Sequence, residues 1–139
     1  MPPARVLILC TANSARSQMA EAWLQHLGGD RFAVFSAGTQ PSRVNPVAIQ
    51  AMAEAGLDLS GHRSKSLTEF LDQPFDYVIT VCDAASESCP AFPGPAQRLH
   101  WSFPDPAAAP EGEARLAAFR AVRDGLRARF ENWLAEVSA

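Results

Sequence analysis

Apolar and polar positions alternate along the chain in blocks that predict strands and helices in turn. The apolar run at residues 5–9 ends at Cys10 and suits a strand buried on both faces. Residues 17–27 follow, with apolar side chains three and four positions apart, which predicts a helix that ends at Gly28 and Gly29. This succession of strand, loop and helix is the opening of a βαβ unit.

The rest of the chain continues this alternation. Further apolar runs predict strands at residues 32–36, 76–81 and 98–101. A second helix is predicted at residues 46–55, with Asn45 as its N-cap, and a short one at residues 66–71.

The clearest helical pattern covers Glu113–Val137. One stripe carries the large apolar side chains, while Arg and Glu fill the remaining positions. The stripe consists of Leu116, Phe119, Val122, Leu126, Phe130, Trp133 and Val137. We expect this stripe to pack on the sheet.

Strands that alternate with helices predict an α/β fold, here a single-domain, three-layer sandwich in which a four-stranded parallel sheet carries helices on both faces. Residues 1–139 are assigned to this one domain, because no linker, repeat or low-complexity tract interrupts them. In such sheets ligands bind beyond the carboxyl ends of the strands. Cys10 and Cys82 both follow predicted strands, so we expect both to lie at one site.

Composition narrows the class of protein. The hydrophobic fraction of 47% and the charged fraction of 19% are those of a soluble globular protein. A net charge of -3 argues against nucleic acid or a membrane as partner, and the chain is expected to be a monomer. The three cysteines cannot all pair, and no signal-peptide pattern is present, so we expect a cytoplasmic protein with redox-active or nucleophilic cysteines. The histidines lack ligand spacing, and no metal site is predicted.

The loop between the first strand and the first helix carries the candidate chemistry. In Cys10-x5-Arg16-Ser17, successive backbone N–H groups can turn inward and form an anion site at the helix N-terminus. Arg16 adds a planar guanidinium that can bind two oxygens of a tetrahedral oxyanion. The same donors and the Ser17 hydroxyl stabilise a thiolate, so Cys10 is predicted to be a nucleophile rather than a packing residue. The predicted oxyanion-binding residues are Thr11, Ala12, Asn13, Ser14, Ala15, Arg16 and Ser17.

The segment CTANSARSQMAE resembles the phosphate-binding loop of the low-molecular-weight protein tyrosine phosphatase fold, and it is most similar to the thioredoxin-coupled arsenate reductases of that fold. The resemblance continues through SAGTQPSRVNPVAIQAMAEAGLDLS, VITVCDAASESCP and HWSFPDP, and so covers essentially the whole chain. It implies a low-molecular-weight phosphatase-like fold, arsenate as substrate with phosphate or sulfate as competing oxyanions, and thioredoxin as external reductant. It implies no bound cofactor.

The resemblance also assigns the remaining catalytic residues. It implies that Asp105, in the segment FPDP, is the general acid that protonates the departing oxygen, although an Asp beside Pro more often serves a turn. It implies redox roles for Cys82 and Cys89, with a disulfide that passes from Cys10–Cys82 to Cys82–Cys89. On a helix, residues seven apart are separated by roughly 10 Å along the axis, so the second disulfide requires the segment between them to unwind.

Two other functions remain open from the sequence. A phosphatase of the same fold would need the nucleophile, the arginine and the acid, but neither later cysteine. Those phosphatases usually place aromatic residues after the Asp-Pro pair, where this chain has Ala107, Ala108 and Ala109, so only weak phosphatase activity is expected. A non-catalytic oxyanion or redox sensor would bind an oxyanion without turnover.

Some members of the resembling family hold a potassium ion behind the loop. Their ligands match Asn13, Glu21 and Ser36, whereas their acidic fourth residue corresponds to Lys65 here. Because a fixed cation repels a bound cation, we expect Lys65 to disfavour the ion and to place its own ammonium near that position.

Overall fold

The computed structural model describes residues 2–83 and 92–137, and its elements follow the predicted order. The strands are β1 (Ala4–Cys10), β2 (Phe32–Gly38), β3 (Tyr77–Thr80) and β4 (Gln97–His100). The helices are α1 (Arg16–Gly28), α2 (Pro46–Glu54) and α3 (Glu113–Val137). Short 3₁₀ helices lie at Gly29–Arg31, Leu67–Phe70 and Pro106–Ala108.

The four strands form one parallel sheet in the order β2-β1-β3-β4. β1 lies between β2 and β3, and it pairs with β2 along its whole length, from Ala4 opposite Phe32 to Cys10 opposite Gly38. The continuous apolar run of β1 suits this position, because a central strand of a parallel sheet is covered on both faces. The predicted four-stranded parallel sheet is confirmed.

One face of the sheet carries the three α-helices. Ile8 of β1, Met52 of α2 and Phe119 of α3 are fully buried in the core cluster on this face, together with side chains of α1. The other face is covered by a smaller cluster, to which the 3₁₀ helix Leu67–Phe70 and the loops around Phe75 and Phe92 contribute. The prediction of helices on both faces is confirmed, although in the described part of the chain the second face carries only this short 3₁₀ helix.

The two helices that flank the first loop region begin differently. Asn45 caps α2 as predicted, since its side chain accepts a hydrogen bond from the backbone N–H of Val47 at 2.9 Å. α1 begins at Arg16, one residue earlier than predicted, and Ala15 at its N-cap supplies no side-chain hydrogen bond. Ala15 thus leaves the N-terminus of α1 without a side-chain cap at the end of the helix that favours an anion.

The middle of the apolar stripe of α3 is buried as predicted, whereas Leu116 at its start is only half-buried and Val137 at its end is exposed. Phe119, Phe130 and Trp133 are buried, and the Trp133 ring contacts that of Tyr77 edge-to-face at 5.0 Å. Val137 is 39% exposed because it is the last residue of the helix and no later turn covers it, whereas Leu134 is buried in its place. The predicted stripe is therefore wrong at its final position.

None of the helices within the described ranges is both long and apolar enough to span a membrane.

Candidate active site

A cavity of about 210 Å³ lies beyond the carboxyl end of β1. It is lined by Cys10, Thr11, Ala12, Ser14, Ala15, Arg16, Asp105 and Ala107. Most of these residues belong to the segment from Cys10 to Ser17, which we call the anion loop. The predicted nucleophile, arginine and acid thus line one cavity, although the acid comes from a distant part of the sequence.

Cys10 is the last residue of β1 and is buried, with its Sγ 2.8 Å from the Ser17 Oγ. The Ser17 oxygen accepts a hydrogen bond from Asn13 Nδ2 at 2.7 Å. Because that contact occupies a lone pair, the hydroxyl proton of Ser17 can point at the sulfur. In this orientation the hydroxyl donates a hydrogen bond to the Cys10 sulfur.

Asn13 organises the anion loop from behind. Its backbone has φ 48°, in the left-handed region that Asn tolerates better than most residues. Its Nδ2 also donates to Ser36 Oγ at 3.0 Å. Its Oδ1 accepts from Gln18 Nε2 at 2.9 Å and from the backbone N–H of Lys65 at 2.8 Å. These contacts fix the orientation of the buried amide, and through it that of the Ser17 hydroxyl.

Two of the predicted oxyanion-binding residues do not line the cavity. The side chains of Asn13 and Ser17 are buried and bonded to each other behind the anion loop. Only the backbone N–H groups of these two residues remain to contact an oxyanion. Thr11, Ala12, Ser14, Ala15 and Arg16 line the cavity, and their role in binding an oxyanion stays a prediction.

Arg16 joins the anion loop to the segment that carries the acid. It is buried at the start of α1, and its Nη1 donates to the carbonyl of Phe103 at 3.1 Å. Phe103 lies two residues before Asp105 in the sequence. Arg16 therefore holds the segment of Asp105, the predicted acid, beside the cavity in addition to lining the cavity itself. Sequence reasoning missed Phe103, because a backbone carbonyl contact leaves no signal in the residue type.

Asp105 lies at the rim of the cavity and is exposed. Its Oδ1 accepts a hydrogen bond from the backbone N–H of Ala107 at 3.0 Å and caps the 3₁₀ helix Pro106–Ala108. The residue thus serves the turn and lines the cavity at the same time. Ala107, at a position where phosphatases of this fold usually carry an aromatic residue, lines the rim.

The second cysteine lies at the same edge of the sheet as the first. β3 is the neighbour of β1, and Cys82 follows the end of β3 by two residues. Cys82 is fully buried, and it belongs to the same core cluster as Cys10. The two strand ends are therefore neighbours at this edge of the sheet, but Cys82 does not line the cavity, so a shared site for the two cysteines stays a prediction. Cys89 lies in residues 84–91, outside the described residues.

A buried carboxylate with two basic neighbours lies behind the anion loop. Ser36 Oγ donates to Glu21 Oε1 at 2.6 Å. The Lys65 Nζ lies 3.7 Å from the same oxygen and donates to the carbonyl of Arg63 at 3.0 Å. His62 Nδ1 lies 3.4 Å from Glu21 Oε2. The expectation that Lys65 places its ammonium at this position is confirmed.

This arrangement does not fit a bound potassium ion. Asn13, Glu21 and Ser36 lie together, but the ammonium of Lys65 already balances the carboxylate. Within the part of the chain that the structure describes, no cluster of His, Cys, Asp and Glu that could hold a metal ion was found.

Sequence reasoning missed Gln18, which connects these groups to the anion loop. Its Nε2 donates to the Asn13 carbonyl at 3.1 Å and to the Arg63 carbonyl at 2.9 Å, and its Oε1 lies 3.0 Å from His62 Nδ1. The available signal was a long polar side chain in the first turn of α1, directly before the apolar Met19 and Ala20.

The fold and the cavity together define an α/β protein that presents a cysteine nucleophile, an arginine and a carboxylic acid around an oxyanion-binding loop at the end of its first strand. Such a site is suited to attack on a tetrahedral oxyanion. The chain belongs to the low molecular weight phosphotyrosine protein phosphatase family, whose model matches residues 5–139.

Individual relatives agree with this assignment. The chain is 45% identical over 130 residues to an arsenate reductase of Halalkalibacterium halodurans, with 92% of this chain and 93% of the relative covered. A solved structure of an arsenate reductase in the phosphate binding state matches with a TM-score of 0.78 and 36% identity, over 96% of this chain and 98% of that chain. A thioredoxin-dependent arsenate reductase of Corynebacterium glutamicum matches with a TM-score of 0.69 and 28% identity, over 97% of this chain and 64% of that chain. The resemblance found in the sequence is confirmed.

Proposed function

We propose that this protein is an arsenate reductase that uses thioredoxin as its reductant. The observation that carries the proposal is the position of Cys82, at the end of the strand next to the one that ends in Cys10 and within the same buried cluster. Hydrolysis by a phosphatase needs no second cysteine beside the nucleophile, whereas reduction does. The similarity to arsenate reductases supports the same choice.

The first step forms a covalent adduct. Arsenate binds to the backbone N–H groups of the anion loop and to the guanidinium of Arg16. The Cys10 thiolate attacks arsenic and forms a sulfur–arsenic bond, while one arsenic–oxygen bond breaks. Asp105 gives its proton to the departing oxygen, which leaves as water rather than as hydroxide.

The second stage reduces arsenic and passes the disulfide outward. Cys82, as a thiolate, attacks the Cys10 sulfur, and the electron pair of the sulfur–arsenic bond goes to arsenic, which leaves as arsenite. Cys89, as a thiolate, then attacks Cys82, so that Cys10 is released as a thiolate and a Cys82–Cys89 disulfide remains. The dithiol of thioredoxin reduces this disulfide and closes the cycle. The scheme requires no metal or organic cofactor.

The scheme also implies a cellular setting. The relay turns over only where a dithiol protein keeps the three cysteines reduced, so the proposal places the protein in a reducing cytoplasm. All reacting groups come from one chain, so a monomer is sufficient.

A phosphatase is the second candidate, because the cavity brings together the nucleophile, arginine and acid that hydrolysis of a phosphate ester needs. The small Ala107 at the rim offers no aromatic surface to a phosphotyrosine ring. We therefore expect phosphatase activity to be weak.

The deciding experiment is anaerobic incubation of the fully reduced protein with arsenate alone, followed by assay of arsenite and mapping of disulfides. We expect one arsenite per protein and a Cys82–Cys89 disulfide. Cys10→Ser and Cys82→Ser should release no arsenite, and Cys89→Ser should stop after one turnover with a Cys10–Cys82 disulfide.

The alternative functions give different results when the same protein variants are assayed with thioredoxin or with phosphotyrosine. Repeated turnover of Cys89→Ser with thioredoxin as the sole reductant would refute the three-cysteine relay. Efficient phosphotyrosine hydrolysis that is insensitive to Cys82→Ser, with no arsenite released, would identify a phosphatase. Oxyanion binding without either product would identify a sensor.

A further inference from the structure

The carbonyl groups of the anion loop are held from outside by a neighbouring segment, residues 38–45, which we call the outer loop. The backbone N–H of Gln40 donates to the Thr11 carbonyl at 2.9 Å. The backbone N–H of Asn45 donates to the Ser14 carbonyl at 2.9 Å. The outer loop thus holds the anion loop near both of its ends.

Between these two contacts, a side chain from a third segment connects the two loops. The Ser64 hydroxyl donates to the Ala12 carbonyl at 2.9 Å and accepts from the backbone N–H of Ser42 at 2.9 Å. The direct contact from the Ser42 N–H to the Ala12 carbonyl is longer, at 3.3 Å. The hydroxyl of Ser64 is therefore the shorter bridge between the outer loop and the middle of the anion loop.

These outward bonds determine where the backbone N–H groups point. In a trans peptide the carbonyl of one residue and the N–H of the next point in opposite directions from the same plane. The Asn13 carbonyl is also bonded behind the loop, to Gln18 Nε2 at 3.1 Å. Carbonyls turned outward therefore direct the N–H groups of the next residues toward the cavity, and these residues are Ala12, Asn13, Ser14 and Ala15.

The close approach of the two loops leaves no space for a side chain at position 38, which is Gly38. A Cβ at this position would collide with the Thr11 carbonyl and would lie 2.9 Å from both the Asn13 nitrogen and the Cys10 carbonyl. The absence of a side chain lets the end of β2 lie directly against the anion loop, and it brings the outer loop within hydrogen-bond distance.

From these contacts we infer that Ser64 is a positioning residue for oxyanion binding. Its hydroxyl fixes the peptide plane between Ala12 and Asn13 and so aims one N–H donor at the oxyanion without touching the oxyanion itself. This inference rests on the proposed function only in taking the cavity as the oxyanion site. It goes beyond that function by assigning a role to a residue outside the cavity lining.

The test compares Ser64→Ala, Ser64→Thr and the matched control Ser66→Ala in the full chain. The Ser66 hydroxyl lies in the same segment, but it caps the 3₁₀ helix Leu67–Phe70 through Thr68 at 3.2 Å and does not contact the anion loop. The measurements are the Kd of inorganic phosphate by calorimetry, the KM and kcat for arsenate, and the thermal unfolding midpoint.

We expect Ser64→Ala to raise the phosphate Kd and the arsenate KM by about fivefold to tenfold, the usual effect of losing one hydrogen bond, with kcat changed by less than about twofold. Ser64→Thr keeps the hydroxyl and should remain within about twofold of the parent protein in Kd. Ser66→Ala should lower the midpoint without changing the Kd.

Three results would overturn the inference. An unchanged phosphate Kd in Ser64→Ala would show that the hydroxyl does not aim the donor. An equal rise in Kd for Ser64→Thr or for Ser66→Ala would show a general loosening of the segment. A parent protein that binds no phosphate would remove the anion site itself. If instead the parent binds phosphate but releases no arsenite, the proposed function fails while the phosphate Kd series still decides the role of Ser64.

Discussion

Replacing Lys65 with Asp should make the protein respond specifically to potassium, which the parent protein should not do. The Lys65 ammonium lies 3.7 Å from a carboxylate oxygen of Glu21, and the two side chains are only 12% and 10% exposed. The ammonium therefore stands as a fixed cation beside Asn13, Glu21 and Ser36, the residues that would otherwise bind a mobile one.

The charges set the size of the effect. Two unit charges about 4 Å apart interact by about 4 kcal/mol at an effective dielectric constant of about 20. A potassium ion placed on the Glu21 carboxylate would be repelled by the ammonium to about this extent, which weakens its binding by about 10³-fold. In Lys65→Asp the repulsion becomes an attraction. Without a cation, that variant should lose about 3–5 kcal/mol of stability, because it leaves two buried carboxylates uncompensated.

The assay is thermal unfolding in KCl and in NaCl at equal ionic strength, with arsenate turnover measured in the same buffers. The parent protein should unfold at the same midpoint in both salts. Lys65→Asp should unfold at a lower midpoint in NaCl and recover in KCl, by about 2.7 kcal/mol once potassium reaches about 100 times its Kd.

The matched control is Arg63→Met, which removes a positive charge two residues away. Arg63 pairs with Glu69 at 2.7 Å, but the two side chains are 67% and 40% exposed, so water screens this pair and it contributes little to stability. It should show no difference between the two salts. A parent protein that is stabilised by potassium and not by sodium would refute the reasoning, as would a Lys65→Asp variant that shows no preference between them.

Two further predictions follow from single contacts. Asp105→Asn keeps the oxygen that accepts the hydrogen bond from the Ala107 N–H but cannot donate the proton to the departing oxygen. The kcat for arsenate should therefore fall by about 10²–10⁴-fold, while the phosphate Kd changes little. An unchanged kcat would exclude Asp105 as the acid. Hydrogen bonds from Arg120, and then Arg123, hold the pKa of Glu54 at about 2, below its ordinary value of 4.5. Because the folded state lowers this pKa, the stabilising effect is present above pH 4.5 and is lost as the pH falls toward 2. Glu54→Gln should therefore lower the unfolding midpoint at pH 7. The difference in midpoint between variant and parent should shrink between pH 4.5 and pH 2. A difference in midpoint that does not depend on pH would contradict this account.

The sequence predicts the positions of Cys10 and Arg16 well, because the patterns that place them involve residues close together in the chain. The apolar run of β1 stops at Cys10, the helix pattern resumes at once, and Arg16 stands at the junction. Strand, loop and helix are each determined by residues close together in the chain, so the pattern alone places the nucleophile at the sheet edge. Asp105 required the family resemblance, because a single Asp between prolines is common in turns.

The parts that the sequence does not predict depend on contacts between distant segments. In the structure Gly38 allows β2 to lie against the anion loop. A glycine at the end of a strand does not by itself indicate such a contact in the sequence. The bonds from the outer loop join backbone atoms, which every residue possesses, so no residue type marks them. The exchange of Val137 for Leu134 at the end of α3 depends on which positions the rest of the fold covers, and helical periodicity does not contain that information.

The geometry around Cys10 serves two steps of the proposed cycle that make different demands on the sulfur. The Ser17 hydroxyl can donate to the Cys10 thiolate that attacks arsenate, although each donor to the sulfur also reduces its intrinsic nucleophilicity. In the last exchange, Cys10 must instead leave when Cys89 attacks Cys82, and stabilisation of the thiolate then accelerates the reaction. A phosphatase makes the same two demands, because its cysteine must also leave as a thiolate when water hydrolyses the covalent thiol-phosphate adduct. The Ser17 hydroxyl that the low molecular weight phosphatase fold provides for attack therefore also suits the release of Cys10. Such a site could gain the ability to reduce arsenate through the addition of cysteines at and beyond the end of β3, without a change in the anion loop.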